Sequence, residues 1–291
     1  MSLFGLLKKQ NVLLGETLSI QKSKSHTKTD NMLKTYNEAT EGVLFFSSLY
    51  NIYIFDGRLT KLVKRPARIT NLCIANGKLY DAGDFGIFDT IANELIATRP
   101  GAIRALFYFN NVLYDAGDYG IFKTLKDEFV AQRPAPVAFL TVFDNKLIDG
   151  GVYGIYETLS NKPILKNDLF KITAIDVWRD SLIIGTSDGK IVNLSSRTLL
   201  AKRDKSVMAV KVWNNTIYDA GDYGIFNTKT NELIASRDNR VDLLFVWNND
   251  LYDAGPYGIY NTMNDVKIAF VNFITAATIA PENVAKQFLK T

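Results

Sequence analysis

"LYDAGDFGIF" (Leu79–Phe88), "LYDAGDYGIF" (Leu113–Phe122) and "IYDAGDYGIF" (Ile217–Phe226) are nearly one decapeptide written three times. Two carboxylates beside two glycines and an aromatic ring have the look of a ligand site, so the first matter is whether the motif is a row of sites or a structural unit. Its opening leucine or isoleucine recurs at Leu44, Leu79, Leu113, Leu147, Leu182, Ile217 and Leu251, with spacings of 35, 34, 34, 35, 35 and 34 residues. A period held so closely over seven copies marks one supersecondary unit stacked on its neighbours.

Within each copy the pattern has the period of strands. Two residues that tolerate positive φ stand ahead of most anchors: Asn76-Gly77, Asn110-Asn111, Asp144-Asn145, Arg179-Asp180, Asn214-Asn215 and Asn248-Asn249. They predict tight hairpins. The segment before each turn is β-branched and aromatic ("ALFYF", "LLFVW") and the segment after it is "LYDAG" or its equivalent. "DYG" then makes a second turn, "GIFNT" a third strand, and "KTNE" leads into a fourth, "LIASR". Four short antiparallel strands per copy, repeated in a circle, predict an all-β, seven-bladed β-propeller with blades of about 34 residues. A leftover first-strand segment, "ITAATIA" (Ile274–Ala280), is placed to pair with the strands near Leu44 and close the ring. The alternative is eight blades, with "NVLLGETLSIQKS" completing a split blade. The expected organisation is a polar, lysine-rich extension (1–40), the propeller (41–280) and a short C-terminal helix (281–291). Pro281 suits the first turn of that helix, and Val284, Ala285, Phe288 and Leu289 share its apolar face.

"SLIIGTSDGKIVNLSSRTLLAKR" (Ser181–Arg203) resembles a repeat of the WD-repeat and quinoprotein-like propeller superfamily, with the same rhythm of strand, Asp-Gly turn, strand, turn and strand. The likeness extends over roughly Leu44 to Ala280 at the level of fold. The Trp-Asp and Gly-His dipeptides of WD repeats are not in register, nor is the Trp ending of quinoprotein repeats, so the resemblance implies no quinone and no other cofactor.

Composition bounds the chemistry. The chain has 291 residues, 47% of them hydrophobic, enough for a large core. No apolar run approaches the roughly 20 residues of a membrane span, and the start "MSLFGLLKKQ" lacks a basic region before its apolar stretch. Cys73 and His26 are the only residues of their kinds. That leaves no disulfide framework and no multi-histidine metal site, and it fits a reducing, cytoplasmic setting. The formal charge of +4 resides in residues 1–36, which hold six lysines against Glu16 and Asp30; the remainder is balanced. A neutral body disfavours nucleic acid. Contact with nucleic acid or an anionic membrane is expected only through "QKSKSHTKTDNMLK".

The repeated side chains have two readings. The first motif aspartate recurs as Asp81, Asp115, Asp149, Asp219 and Asp253, with Ile184 in the fifth copy. Strand alternation turns it toward core or a neighbouring blade, where a carboxylate needs partners. The fourth strand commonly ends in a basic residue: Arg65, Arg99, Arg133, Lys166, Arg203 and Arg237. These lie on the same side of the ring, so Asp–Arg contacts between or within blades are expected, and the motif reads as a blade-locking turn. The other reading is a row of sugar pockets or a charged ring facing a partner. Trp178, Trp213 and Trp247 hold one position, directly before the hairpin turn of consecutive copies. They read as packing beneath the turn, or as an aromatic patch for a partner on the opposite face. The function expected is a non-enzymatic scaffold or assembly subunit that binds protein. The alternatives are a multivalent carbohydrate-binding propeller and, third, a propeller hydrolase or lyase.

Overall fold

The computed structural model describes residues 41–166 and 170–288, and these form seven four-stranded antiparallel sheets. Blade I contains β1 (Val43–Ser48), β2 (Asn51–Phe55) and β3 (Leu59–Lys64). Blade II contains β4 (Ile69–Ala75), β5 (Lys78–Gly83), β6 (Gly86–Asp89) and β7 (Glu94–Ala97), and blade III contains β8 (Ile103–Phe109), β9 (Val112–Gly117), β10 (Gly120–Lys123) and β11 (Glu128–Ala131). Blade IV contains β12 (Val137–Phe143), β13 (Lys146–Gly151), β14 (Gly154–Glu157) and β15 (Lys162–Lys166). Blade V contains β16 (Ile172–Trp178), β17 (Ser181–Thr186), β18 (Lys190–Asn193) and β19 (Thr198–Lys202). Blade VI contains β20 (Val207–Trp213), β21 (Thr216–Gly221), β22 (Gly224–Asn227) and β23 (Glu232–Ala235). Blade VII contains β24 (Leu243–Trp247), β25 (Asp250–Gly255), β26 (Gly258–Asn261) and β27 (Val266–Ala269).

The strand completing blade I is β28 (Ile274–Ala280), which pairs antiparallel with β1 from Val43↔Ala280 to Ser48↔Ile274. Innermost strands touch in the order β4, β8, β12, β16, β20, β24, β28 and back to β4, so the circle closes with seven blades, not eight. In each blade we denote the strands A to D from the centre outward. A–B and C–D turns then share one face of the ring, while B–C turns and D–A loops share the other.

The anchor residues explain the repeat. Leu44, Leu79, Leu113, Leu147, Leu182, Ile217 and Leu251 of strand B are all buried, as are Ile52, Ile87, Ile121, Ile155, Ile191, Ile225 and Ile259 of strand C. Each strand B anchor shares an apolar cluster with the strand C isoleucine of the preceding blade, as Leu79 does with Ile52 and Leu113 with Ile87, filling the space between adjacent sheets. This burial is worth about 1.5–3 kcal/mol per side chain. The predicted hairpins are present: both residues of Asn214-Asn215 and of Asn248-Asn249 have positive φ, between 47° and 63°. Gly224, at φ 98°, shows why the B–C turn requires glycine, since a Cβ there would lie 2.8 Å from the Ala235 carbonyl oxygen. Blade IV departs from the motif in a compensated way. Gly150 replaces the usual alanine, and its cross-strand partner Phe139 fills the vacated volume; a Cβ on Gly150 would sit 2.3 Å from that ring.

At the C-terminus a single helical turn, α1 (Glu282–Ala285), follows Pro281. Val284, Ala285 and Phe288 are buried against blade I, with the Phe288 and Phe45 rings 4.8 Å apart. The apolar face predicted there therefore docks as expected, although Leu289 lies outside the described residues. The lysine-rich extension predicted over 1–40 lies outside them too. Among the described residues, no helix is long and apolar enough to cross a membrane.

Candidate interaction surface

The five motif aspartates are wholly buried, and each meets one arginine of the basic series, across the joint between two blades. Arg65, Arg99, Arg133, Arg203 and Arg237 leave the D strand of one blade and clasp Asp81, Asp115, Asp149, Asp219 and Asp253 in strand B of the next. Each contact is bidentate, through Nε and Nη2, at 2.6–2.9 Å. This fork geometry uses both carboxylate oxygens and is specific to arginine.

Three further groups complete the joint. The guanidinium lies 4.2–4.6 Å above the strand C ring of Phe88, Phe122, Tyr156, Phe226 or Tyr260. Its Nη1 donates to Asn93, Asp127, Asn161, Asn231 or Asp265 in the C–D turn. These five residues also hold the left-handed conformation that the turn requires, with φ of 52–59°. Asn and Asp alone combine tolerance of that conformation with a short acceptor side chain. Finally, the B–C turn tyrosines Tyr119, Tyr153, Tyr223 and Tyr257 donate to the same aspartates at 2.6–3.0 Å.

Burial, then the adjacent aspartate carboxylates, push these four phenols far above the ordinary tyrosine range. Burial alone would lower the guanidinium values of Arg99, Arg133, Arg203 and Arg237, but the ion pairs reverse that and the net direction is upward. A phenol whose folded value is raised contributes stability that is fully present below the unfolded value near pH 10 and is lost as pH rises toward the folded one, because the unfolded chain then binds fewer protons. The melting temperature should therefore fall progressively above about pH 10. The fall should be shallower when Tyr153 and Tyr223 are both replaced by phenylalanine; equal slopes in thermal melts would show that these hydroxyls are not protected.

Two of the seven joints are built differently. Between blades VII and I, Val271 stands where the arginine would be, Phe46 replaces the aspartate and stacks on Tyr53, and Arg58 precedes strand D. Between blades IV and V, Ile184 replaces the aspartate and joins an apolar cluster with Ile148, Ile155 and Ile172, while Arg197 occupies the left-handed turn position. Both replace an ionic lock with packed apolar groups, an exchange that is energetically accessible. Lys166, the sixth basic residue of the predicted series, is exposed at the end of β15.

The predicted candidates for partner contact are thus separated by the structure. Arg65, Arg99, Arg133, Arg203 and Arg237 do not form an exposed ring: their side chains are at most 6% accessible. Their donors are consumed inside the joints, which is the physical reason to withdraw them as contact residues. The tryptophans lie on the opposite, A–B turn face and act across blades. Trp178 Nε1 donates to Asn215, Trp213 Nε1 to the Asn249 carbonyl at 3.0 Å, and Trp247 Nε1 to the Gly42 carbonyl at 2.8 Å. Trp178 and Trp213 remain half-buried, and Trp178 carries Arg179 and Lys229 over its ring.

Phe129 is 52% exposed on the outer strand of blade III, whereas three exposed aromatic residues fall on the B–C and D–A face at the joint where the ring closes. Phe270 is 79% exposed, Phe273 53% and Tyr50 44%. Tyr50 is the counterpart of the joint tyrosines; with Phe46 in place of the aspartate it has no carboxylate to bind and lies at the surface. Backbone hydrogen bonds hold the group together: Phe273 N–H donates to the Pro256 carbonyl at 3.2 Å, and Leu49 N–H to the Phe273 carbonyl at 3.3 Å. Sequence reasoning missed this cluster, although "FVNF" breaks the pattern of "KRPAR", "TRPGA" and "SRDNR" at the same place.

Strand order and ring closure define a seven-bladed β-propeller, and its fold resembles that of WD40 propellers. The crystal structure of the WD40 β-propeller domain of Doa1 is similar over 76% of this chain and 90% of that one, at 15% identity and TM-score 0.57. A chain of the mitotic checkpoint complex matches over 82% of this chain and 96% of its own, at 14% identity and TM-score 0.55. The extracellular domain of a putative one-component system from B. thetaiotaomicron gives TM-score 0.64 at 15% identity, over 77% of this chain and 37% of that longer one. These likenesses are of fold. No family model and no curated protein matches the sequence.

Proposed function

We propose that this chain is a non-enzymatic, cytoplasmic propeller scaffold that binds a protein partner through the aromatic cluster at its closing joint. The observation carrying this reading is the exposure of Phe270, Phe273 and Tyr50 on a ring whose other repeated aromatics are engaged in joints. Large aromatics held at a surface by the backbone are the groups that dominate protein interfaces. WD40 neighbours in fold, one of them part of a named protein complex, support the same class of role. The sugar-pocket alternative receives no comparable support, because the carboxylates that would line such pockets face into the blade joints.

Affinity capture from native extract, run in parallel with wild-type protein and with Phe270→Ser/Phe273→Ser, tests the proposal. The wild type should enrich a protein that the double variant recovers at about one tenth the level or less. Equal recovery, or no specific protein with either bait, would refute it.

A further inference from the structure

Resting on that scaffold reading, we infer that the closing-joint cluster receives a peptide segment with an aromatic or large aliphatic anchor flanked by carboxylates. The repeat supplies an internal control. At the position of Phe270 the other D–A loops carry Lys64, Thr98, Gln132, Lys166, Lys202 and Ser236, and at that of Phe273 they carry Arg68, Ala102, Pro136, Lys171, Ser206 and Arg240. Two phenylalanines replace polar, small or proline residues in one loop only, and neither ring is needed for the core beneath them. Phe273 also holds a positive φ of 58°, an uncommon conformation for a large side chain. Its carbonyl and amide are both engaged, so the ring is presented in a fixed place and little ordering entropy remains to be lost on binding.

Charge selects the flanks. Exposed acids mark the B–C turns of blades II, III and VI, at Asp84, Asp118 and Asp222, whereas Leu49 and Pro256 stand there in blades I and VII and Val152 in blade IV. The cations around the cluster are Lys267, whose Nζ lies 4.9 Å over the Phe270 ring, Lys64 at the end of β3, and Arg68 in the loop that follows. That loop is tied to the cluster, since Arg65 N–H donates to the Tyr50 carbonyl and Ile69 N–H to the Leu49 carbonyl, each at 2.7 Å. Arg240 on the neighbouring loop is already paired with Asp242 at 2.6 Å. An apolar centre with a basic rim is complementary to an anchor residue between acids, and steers such a segment at low salt.

Selection from a random-sequence peptide phage library on the wild-type protein, with counter-selection on Phe270→Ser/Phe273→Ser, tests this. Enriched peptides should carry Trp, Phe or Leu beside Asp or Glu. A synthetic copy should bind the double-serine variant about tenfold or more weakly. It should bind Lys64→Glu/Arg68→Glu/Lys267→Glu several-fold more weakly, with a loss that shrinks in high salt. Phe270, Phe273, Lys64 and Arg68 are exposed and Lys267 is half-buried over the Tyr260 and Phe270 rings, so melting temperatures within a few degrees of the wild-type value report folded protein. Enrichment of basic or uncharged flanks, no enrichment, or unchanged affinity for either variant would overturn the assignment. So would a concentration-dependent dimer abolished by Phe270→Ser, which would make a second copy the occupant. Capture of an extract protein in a Phe270-dependent manner without any acidic peptide being selected would remove this inference and leave the scaffold reading standing.

Discussion

Replacing Asp219 by alanine is expected to destabilise the propeller by about 3–5 kcal/mol, the range for breaking one half of a buried ion pair. The argument is local. Asp219 is wholly buried and accepts from Arg203 Nε and Nη2, from Tyr223 at 3.0 Å and from Thr228 at 2.7 Å. Its removal leaves a guanidinium between two blades with no carboxylate, and only Asn231 and the Phe226 and Tyr223 rings beside it. A carboxylate with four donors cannot be replaced by water without opening the joint. Asparagine should recover part of the loss, since it keeps an acceptor but lacks the charge that the fork requires. Against a typical stability of about 5–15 kcal/mol, calorimetric or denaturant melts will register the effect as a large shift. A change within about 0.5 kcal/mol, typical of an ordinary surface site, would mean that the joint is not a lock.

The second large effect is expected from deleting residues 274–291. This removes β28 and α1, exposes the edge of β1 and uncovers Leu44, Phe45 and Phe46, all wholly buried in the intact ring. Those three side chains alone correspond to roughly 1.5–3 kcal/mol each of burial. The lost ladder and the opened circle add to that, so the total is comparable with the stability of the whole domain. The expected outcome is loss of a cooperative melting transition and self-association through the free edge. A truncated chain that sediments as a monomer and melts within a few degrees of the full chain would show that closure contributes little.

Much of this architecture was legible because the repeat is its own alignment. The two-residue turns, the alternation of "LYDAG" and the leftover "ITAATIA" led to blades, strand order and the closing strand. A contact between the aspartate series and the arginine series followed from which turns share a face. The direction of that contact, from one blade into the next, was not readable, because strand alternation gives a face but not which sheet lies against it. The turn acceptors Asn93, Asp127, Asn161, Asn231 and Asp265 were present as a constant spacing of 28 residues after each arginine. Their second role stayed hidden behind the first, since an Asn or Asp in a turn is already explained by its backbone. The tryptophans read as packing or as a patch, and the structure gives them a task between those: their indole N–H groups tie each blade to the next. Phe270, Phe273 and Tyr50 were missed for a different reason. Attention to the recurring residues draws the eye from the copy that departs from them, and exposure depends on neighbours distant in sequence.

The same contrast organises the molecule: repeated side chains hold the blades together, and at the closing joint, where the pattern breaks, aromatic rings are left exposed. The coupling free energy between Arg203 and Asp219, from calorimetric unfolding of Arg203→Ala, Asp219→Ala and the double variant, tests the first half directly. If the motif is a blade lock, the double variant should lose about 2 kcal/mol or more less than the sum of the two single losses. Losses that add to within about 0.5 kcal/mol would contradict the account and return the repeated carboxylates to consideration as ligand groups.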